Sequence, residues 1–157
     1  MSKLNIKSSY PTEQTAKDLN ILLSSLVDFY YTYKHYHWNL QNDDFYEYHQ
    51  LFDSHATKIY ESQDPIAERT RQMGEIITGD LSQYSELTKL KAKLPNEDDL
   101  NNTLVYLVDC HNVVIDHLEK IIDRTSDLKD FATADLLTGY LQEHQQMRWF
   151  LVASIEK

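Results

Sequence analysis

The chain has 157 residues, with 25 acidic against 15 basic side chains, a formal net charge of −10 and one cysteine. That length fits one ordinary domain. The lone Cys110 rules out an internal disulfide framework and fits a reducing compartment, and the acidic balance argues against broad adhesion to a phosphate backbone.

The opening segment MSKLNIKSSYPTEQ lacks the apolar stretch of a secretory leader, and no apolar run approaches the roughly 20 residues that span a bilayer. A cytoplasmic protein with no membrane partner is expected. Residues 1–10 read as a flexible tail and 11–157 as a single domain. With only three Gly and three Pro, that domain should consist of few, long elements. Apolar positions recur at steps of three and four almost throughout, which predicts an all-α fold.

Pro11 and Thr12 open a first helix whose buried face is Leu19, Leu22, Leu26, Phe29, Tyr33 and His37. A short link at 39–42 predicts an antiparallel second helix. It is capped by Asn42, carries Asp43 and Asp44 in its first turn, and should end near Gly74. Phe45, His49, Phe52, Ala56 and Ile59 form one of its faces. Pro65 either kinks this helix or breaks it, making Asp64 the cap of a separate short helix. The continuing face of Ile66, Ala67, Arg69 and Met73 favours the kink.

Residues 75–95 form a long connection, with a short helix over Leu81–Leu87. The next long helix is expected from Asn96, with Glu97, Asp98 and Asp99 in its first turn. Its core stripe is Leu100, Leu104, Leu107, His111, Val114, Leu118 and Ile121. After an acidic turn at Asp127 to Asp130, the last helix carries Leu137, Tyr140, His144, Met147 and Leu151. Two short turns and one long crossover between the second and third long helices define a ferritin-like four-helix bundle.

The chemistry concentrates in His37, His49, Asp53, Asp64 and Glu68. His49/Asp53 and Asp64/Glu68 are i, i+4 pairs, so each projects two ligands from one helix face. Imidazole with carboxylate suits Fe(II), Mn(II) or Zn(II), and the absence of a cysteine partner argues against a thiolate zinc site. A solvated acidic face is the plainer explanation for any one pair, but four such residues share one stripe beside Phe45, Phe52, Ala56 and Tyr60. Residues 49 and 64 are roughly 22 Å apart along a helix axis, too far for one centre. No Glu is followed by a His three residues on, which removes the di-iron motif of a bundle core. If all five residues act together, two copies must meet across a symmetric interface.

At these positions the sequence resembles the Dps family of mini-ferritins. The resemblance lies in H-W at 37–38, His49, Asp53, D-P-I-A-E-R at 64–69, T-A-D-L-L at 133–137 and W-F-L at 149–151, and it covers residues 10 to 155. It implies a homo-dodecamer built from two-fold dimers, with a di-iron ferroxidase centre at each dimer interface and mineral stored in the cavity. It assigns His37, His49 and Asp53 to one subunit and Asp64 and Glu68 to its mate, with Zn or Mn as substitutes for Fe. Hydrogen peroxide is the implied oxidant, and protection against oxidative stress the implied role. Trp38 resembles the family tryptophan beside the iron site, where it would absorb stray oxidising equivalents; interface packing is the alternative.

Asp123, Asp127, Asp130 and Asp135 read either as caps and solvated turn residues or as an acidic pore lining that draws cations inward. His111 and His144 read as hydrogen-bonded core residues. His55 reads as surface or packing, Trp149 as core or interface packing and Cys110 as a small buried hydrophobe. His35 lies off the ligand stripe, and His117 has no convincing partner. The tail's Lys3 and Lys7 offer little to DNA, so DNA binding is expected to be weak or absent. A DNA-coating protein and a metal-free helical signalling bundle are the competing functional classes.

Overall fold

The computed structural model describes residues 8–41, 43–90, 94–96 and 98–155. The expectations placed on Lys3, Lys7, Asn42 and Glu97 lie outside these residues. Among the described residues there are five helices and no strand: α1 (Glu13–Asn39), α2 (Phe45–Gln72), α3 (Leu81–Leu87), α4 (Leu100–Asp127) and α5 (Phe131–Ser154).

The helix ends follow from local chemistry. Gly74 and Lys129 both take positive φ, 84° and 62°, just past α2 and α4. After α2, Gly74 N–H donates to Arg71 O and Glu75 N–H to Thr70 O; after α4, Lys129 N–H donates to Ser126 O and Asp130 N–H to Thr125 O. This is the Schellman pattern at both ends, which satisfies carbonyls the helix leaves open. Asp99 and Asp130 accept hydrogen bonds from Asn102 N–H and Thr133 N–H, capping α4 and α5.

Helix α4 therefore begins at Leu100, not at Asn96, because Asp99 supplies the cap and ends the acidic run outside the helix. Likewise α2 begins at Phe45, with Asp44 as the flanking residue instead of a first-turn residue. Pro65 lies inside an uninterrupted α2, so Asp64 is not the cap of a separate helix.

α1 pairs with α2 along their length, and α4 with α5. The crossover from α2 to α4 runs along α1. Asn20 bonds Ile76 O and Thr78 N, Asp28 accepts from Thr88 Oγ1, Ser25 Oγ accepts from Lys89 N–H, and Tyr36 Oη donates to Pro95 O. These ties carry the chain from one end of the bundle back to the other, so α4 runs antiparallel to α1.

The core is the predicted stripe: Leu19, Leu22, Leu26, Phe29 and Tyr33 of α1 meet Phe52, Ala56 and Ile59 of α2, Leu104, Leu107, Val114, Leu118 and Ile121 of α4, and Leu137, Met147 and Leu151 of α5. Phe45, the first residue of α2, departs from the stripe at 38% exposure, where the apolar repeat outruns the bundle interior. Trp149 is 62% exposed and not a core residue, since it lies on the side of α5 opposite the buried Met147 and Leu151. No described helix is long and apolar enough to cross a membrane.

Candidate metal centre

His37 lies in the last turn of α1 and His49 in the second turn of α2, and the two meet face to face where these helices join. Their rings stack at 3.8 Å with an interplanar angle of 17°. Each Nδ1 lies 2.8 Å from the other residue's backbone carbonyl, His37 to His49 O and His49 to His37 O. A carbonyl oxygen only accepts, so each Nδ1 carries a hydrogen, and Nε2 is the nitrogen left to offer a lone pair to a cation. This is how a metal-ligating histidine is oriented in advance.

Asp53 follows one turn after His49. Its Oδ1 lies 3.9 Å from His37 Nε2 and 2.7 Å from Lys34 Nζ. The Lys34 hydrogen bond, working against a smaller opposing effect of burial, holds the Asp53 carboxyl below the usual carboxylate range. The same ammonium lies 5.7 Å over the Trp38 ring, within cation–π range. Lys34 is thus a functional candidate that the metal-ligand alphabet overlooked. Its signal was the spacing, one turn before His37 and on the same face.

Asp64 and Glu68 lie further along α2, exposed, and neither pairs with a described residue of its own chain. Asp64 borders an open concavity of about 620 Å3 that Leu23, Tyr60, Ala67 and Ile77 also line. Among the described residues of one chain, no three His, Cys, Asp or Glu side chains converge on a point. Between the two groups of candidate ligands lies an exposed aromatic patch: Tyr30 meets Tyr31 edge-to-face at 5.0 Å and Tyr60 in a tilted contact at 5.5 Å, with Tyr31 and Tyr60 57% and 60% exposed. Trp38 is 61% exposed.

The acidic residues around the α4–α5 turn divide. Asp123, Asp127 and Asp135 are exposed. Asp130 is 2% exposed, accepts from Arg69 Nη2 at 2.8 Å and caps α5 through Thr133. Its place in an acidic lining is therefore corrected: it is an inward-facing brace between α2 and α5. Burial raises its pKa, but the Thr133 hydrogen bonds, Tyr10 and the Arg69 guanidinium outweigh this and hold it below the usual range. Tyr10, read as part of the tail, lies 3.4 Å from the same guanidinium.

Of the remaining histidines, His55, His111 and His144 are buried in the core and hydrogen-bonded there. His117 is half-buried and its Nδ1 has no described partner. Cys110 is 4% exposed, and burial pushes its thiol up to about 12, with Tyr106, Asp28 and Asp109 as lesser influences.

The ferritin-like domain family matches residues 16–157. Among relatives, an uncharacterised low temperature-induced protein of Nostoc sp. is 33% identical over 99% of this chain and 88% of its own. The DNA protection during starvation protein of Agrobacterium fabrum is 32% identical over 88% of this chain and 86% of its own. Among solved structures, Mycobacterium smegmatis Dps superimposes with a TM-score of 0.90 at 25% identity, covering 98% of this chain and 96% of that one. The Vibrio cholerae Dps protein, described as a member of a broad superfamily of ferritin-like diiron-carboxylate proteins, gives 0.87 at 26% identity over 92% and 91%. The fold and these likenesses define a ferritin-like protein, and the chain belongs to the Dps mini-ferritins within that class.

Proposed function

We propose that this chain is a cytoplasmic ferroxidase and iron store that assembles as a dodecamer from two-fold dimers, with each oxidation site shared between two subunits. The observation that carries this reading is the reciprocal His37/His49 hydrogen bonding, which directs the hydrogen of each ring to Nδ1 and leaves Nε2 for a cation, with Asp53 Oδ1 3.9 Å from His37 Nε2. These three groups are too few to hold two cations. Asp64 and Glu68 are exposed and pair with no described residue of their own chain, and the Tyr30–Tyr31–Tyr60 patch between the halves suits burial by a second copy.

In the assembled site, Asp64 and Glu68 hold one Fe(II) together with His37 of the partner subunit. His49 and Asp53 help hold the second Fe(II) more weakly. Nitrogen and carboxylate donors fit Fe(II), and Zn(II) or Mn(II) would substitute. Hydrogen peroxide takes one electron from each of two Fe(II) ions and becomes two hydroxide ions, so no hydroxyl radical leaves the site. The ligands neutralise charge and fix positions, while the electrons come from the iron substrate. Exposed Asp123, Asp127 and Asp135 form an acidic approach that concentrates Fe(II). The net charge of −10 disfavours the DNA-coating alternative.

The test is the Asp64→Ala/Glu68→Ala double variant. Fast peroxide-dependent Fe(II) oxidation should be lost while the particle mass by light scattering stays that of the wild type. Wild-type oxidation rates in that variant would refute the site assignment.

A further inference from the structure

Each of the four long helices contributes one polar ring to a single level of the core: Tyr33 from α1, His55 from α2, His111 from α4 and His144 from α5. All four are 2% exposed or less. Tyr33 Oη lies 3.0 Å from His55 Nδ1 and 2.7 Å from His111 Nε2, and His111 Nδ1 lies 2.9 Å from His144 Nδ1. The surroundings are apolar: Phe29 packs on His111 at 4.7 Å and Phe52 on Tyr33 at 5.8 Å.

Hydrogen-bond accounting sets the direction of this chain. His55 Nε2 is buried without a partner. If Tyr33 donated to His55, that orphan nitrogen would be an N–H, and an unpaired buried donor is costly. In the other arrangement His55 Nδ1–H donates to Tyr33, Tyr33 O–H donates to His111 Nε2, and His111 Nδ1–H donates to His144. The fully buried His55 Nε2 is then a bare lone pair, and the outward N–H falls on His144 Nε2, which is not among the fully buried unpartnered atoms. The phenolic proton thus points at an imidazole acceptor 2.7 Å away, inside a dry core.

A buried phenol gives up an electron only when its proton has an acceptor in contact: the oxidised phenol is a far stronger acid than any imidazolium, so it protonates a buried imidazole that bulk solvent does not, and the positive charge left in the core keeps that state short-lived. Tyr33 is also close to the metal centre. It lies one helical turn before His37, and its ring packs on Phe52, the neighbour of the ligand Asp53. At that centre Lys34 already occupies Asp53 with an ammonium group, so the weaker iron position fills last. A subunit that meets peroxide with one iron bound is one electron short.

We infer that Tyr33 is a redox-active tyrosine that supplies the missing electron when peroxide meets a singly loaded site, with His111 taking the phenolic proton; this rests on the ferroxidase reading above. The peroxide O–O bond breaks, one electron comes from Fe(II) and one from Tyr33, and the products are Fe(III), two hydroxide ions, the Tyr33 radical and protonated His111. A later Fe(II) returns the electron to Tyr33, and His111 returns the proton.

The experiment uses the assembled full-length protein, loaded anaerobically with one Fe(II) per subunit, mixed with hydrogen peroxide and freeze-quenched for electron paramagnetic resonance. Iron oxidation is followed optically in parallel. A transient tyrosyl signal is expected that persists in Tyr140→Phe and is lost in Tyr33→Phe. Removing the hydroxyl also unpairs two buried imidazoles, so a second sample carries fluorotyrosine at position 33, which keeps the hydrogen bonds. Fluorine splitting of the signal is expected there. Iron oxidation without a fluorine-split radical would overturn the inference alone. No iron oxidation at all would overturn the ferroxidase reading and this inference with it.

Discussion

Lowering the pH from about 7.5 to about 5.5 should remove roughly 4 kcal/mol of folding stability, through histidines the folded chain will not protonate. Burial lowers the pKa of His55 to about 4, with Lys58 adding to the effect. Burial and then His55 lower His144 to about 3. Burial, followed by His144, His55 and Arg148, holds His111 well below its usual value. In the unfolded chain each titrates near pH 6.5. Folded values below unfolded ones mean that the unfolded chain binds the protons, so stability is full above pH 6.5 and falls as the pH drops toward the folded values. One unit below 6.5, each imidazole has given up about 1.4 kcal/mol, and three give about 4. Burial lowers His117 in the same sense. The depressed carboxylates Asp53 and Asp130 contribute stability that is lost only at pH below about 3.8, outside this window. The measurement is urea unfolding by circular dichroism across the pH range at one fixed protein concentration, since assembly links stability to concentration. His144→Leu should flatten the slope by roughly one third. A wild-type change below about 1 kcal/mol would refute the reasoning, because it would mean the core imidazoles accept protons in the folded state.

Three further outcomes are expected. Asp130→Ala should cost about 3–5 kcal/mol in urea unfolding because it strands the Arg69 guanidinium, while Asp130→Asn keeps a capping side chain and should fall between the two. Lys34→Met should tighten the second Co(II) or Zn(II) bound per site by roughly two- to fivefold in anaerobic calorimetry, the modest size reflecting a half-exposed Asp53 partner; an unchanged second dissociation constant would rule out competition by the ammonium. Lys129→Gly should stabilise the chain by about 1 kcal/mol in thermal unfolding, since Lys129 holds a backbone conformation that a side chain resists.

The helices and their buried faces were legible because a 3.6-residue repeat is a local property of the chain. Helix starts were less so. The run Asn96 to Asp99 contains several residues able to cap, and only the observed Asp99–Asn102 contact selects among them. The C-terminal end of α4 carried no glycine to announce it, because Lys129 performs that task. At the site, ligand types and their i, i+4 pairing could be read directly. The exchange of Nδ1 hydrogens between His37 and His49 could not, because it depends on how closely α1 and α2 approach across their turn. The same holds in the core. His111 and His144 each read as an isolated polar residue on an apolar stripe and His55 as surface or packing, and their meeting at one level depends on the relative heights of four helices. Phe45 matched the core repeat yet stays exposed, because periodicity does not say where the bundle stops.

The clasp between His37 and His49 also determines where this chain tolerates engineering. Two side chains that each grip the other's main chain hold the corner at 40–44 to a single length. An inserted peptide there would pull the rings apart and misalign their tautomers before any cation arrived. The stretch at 75–80 leading into α3 is held by more scattered ties: Thr12, Arg71 and Thr70 on Glu75, Asn20 on Ile76 and Thr78, and Tyr84 on Thr78. That stretch in turn borders the concavity beside Asp64 through Ile77, Thr78 and Gly79, so neither connection is a neutral place for a tag or cargo sequence.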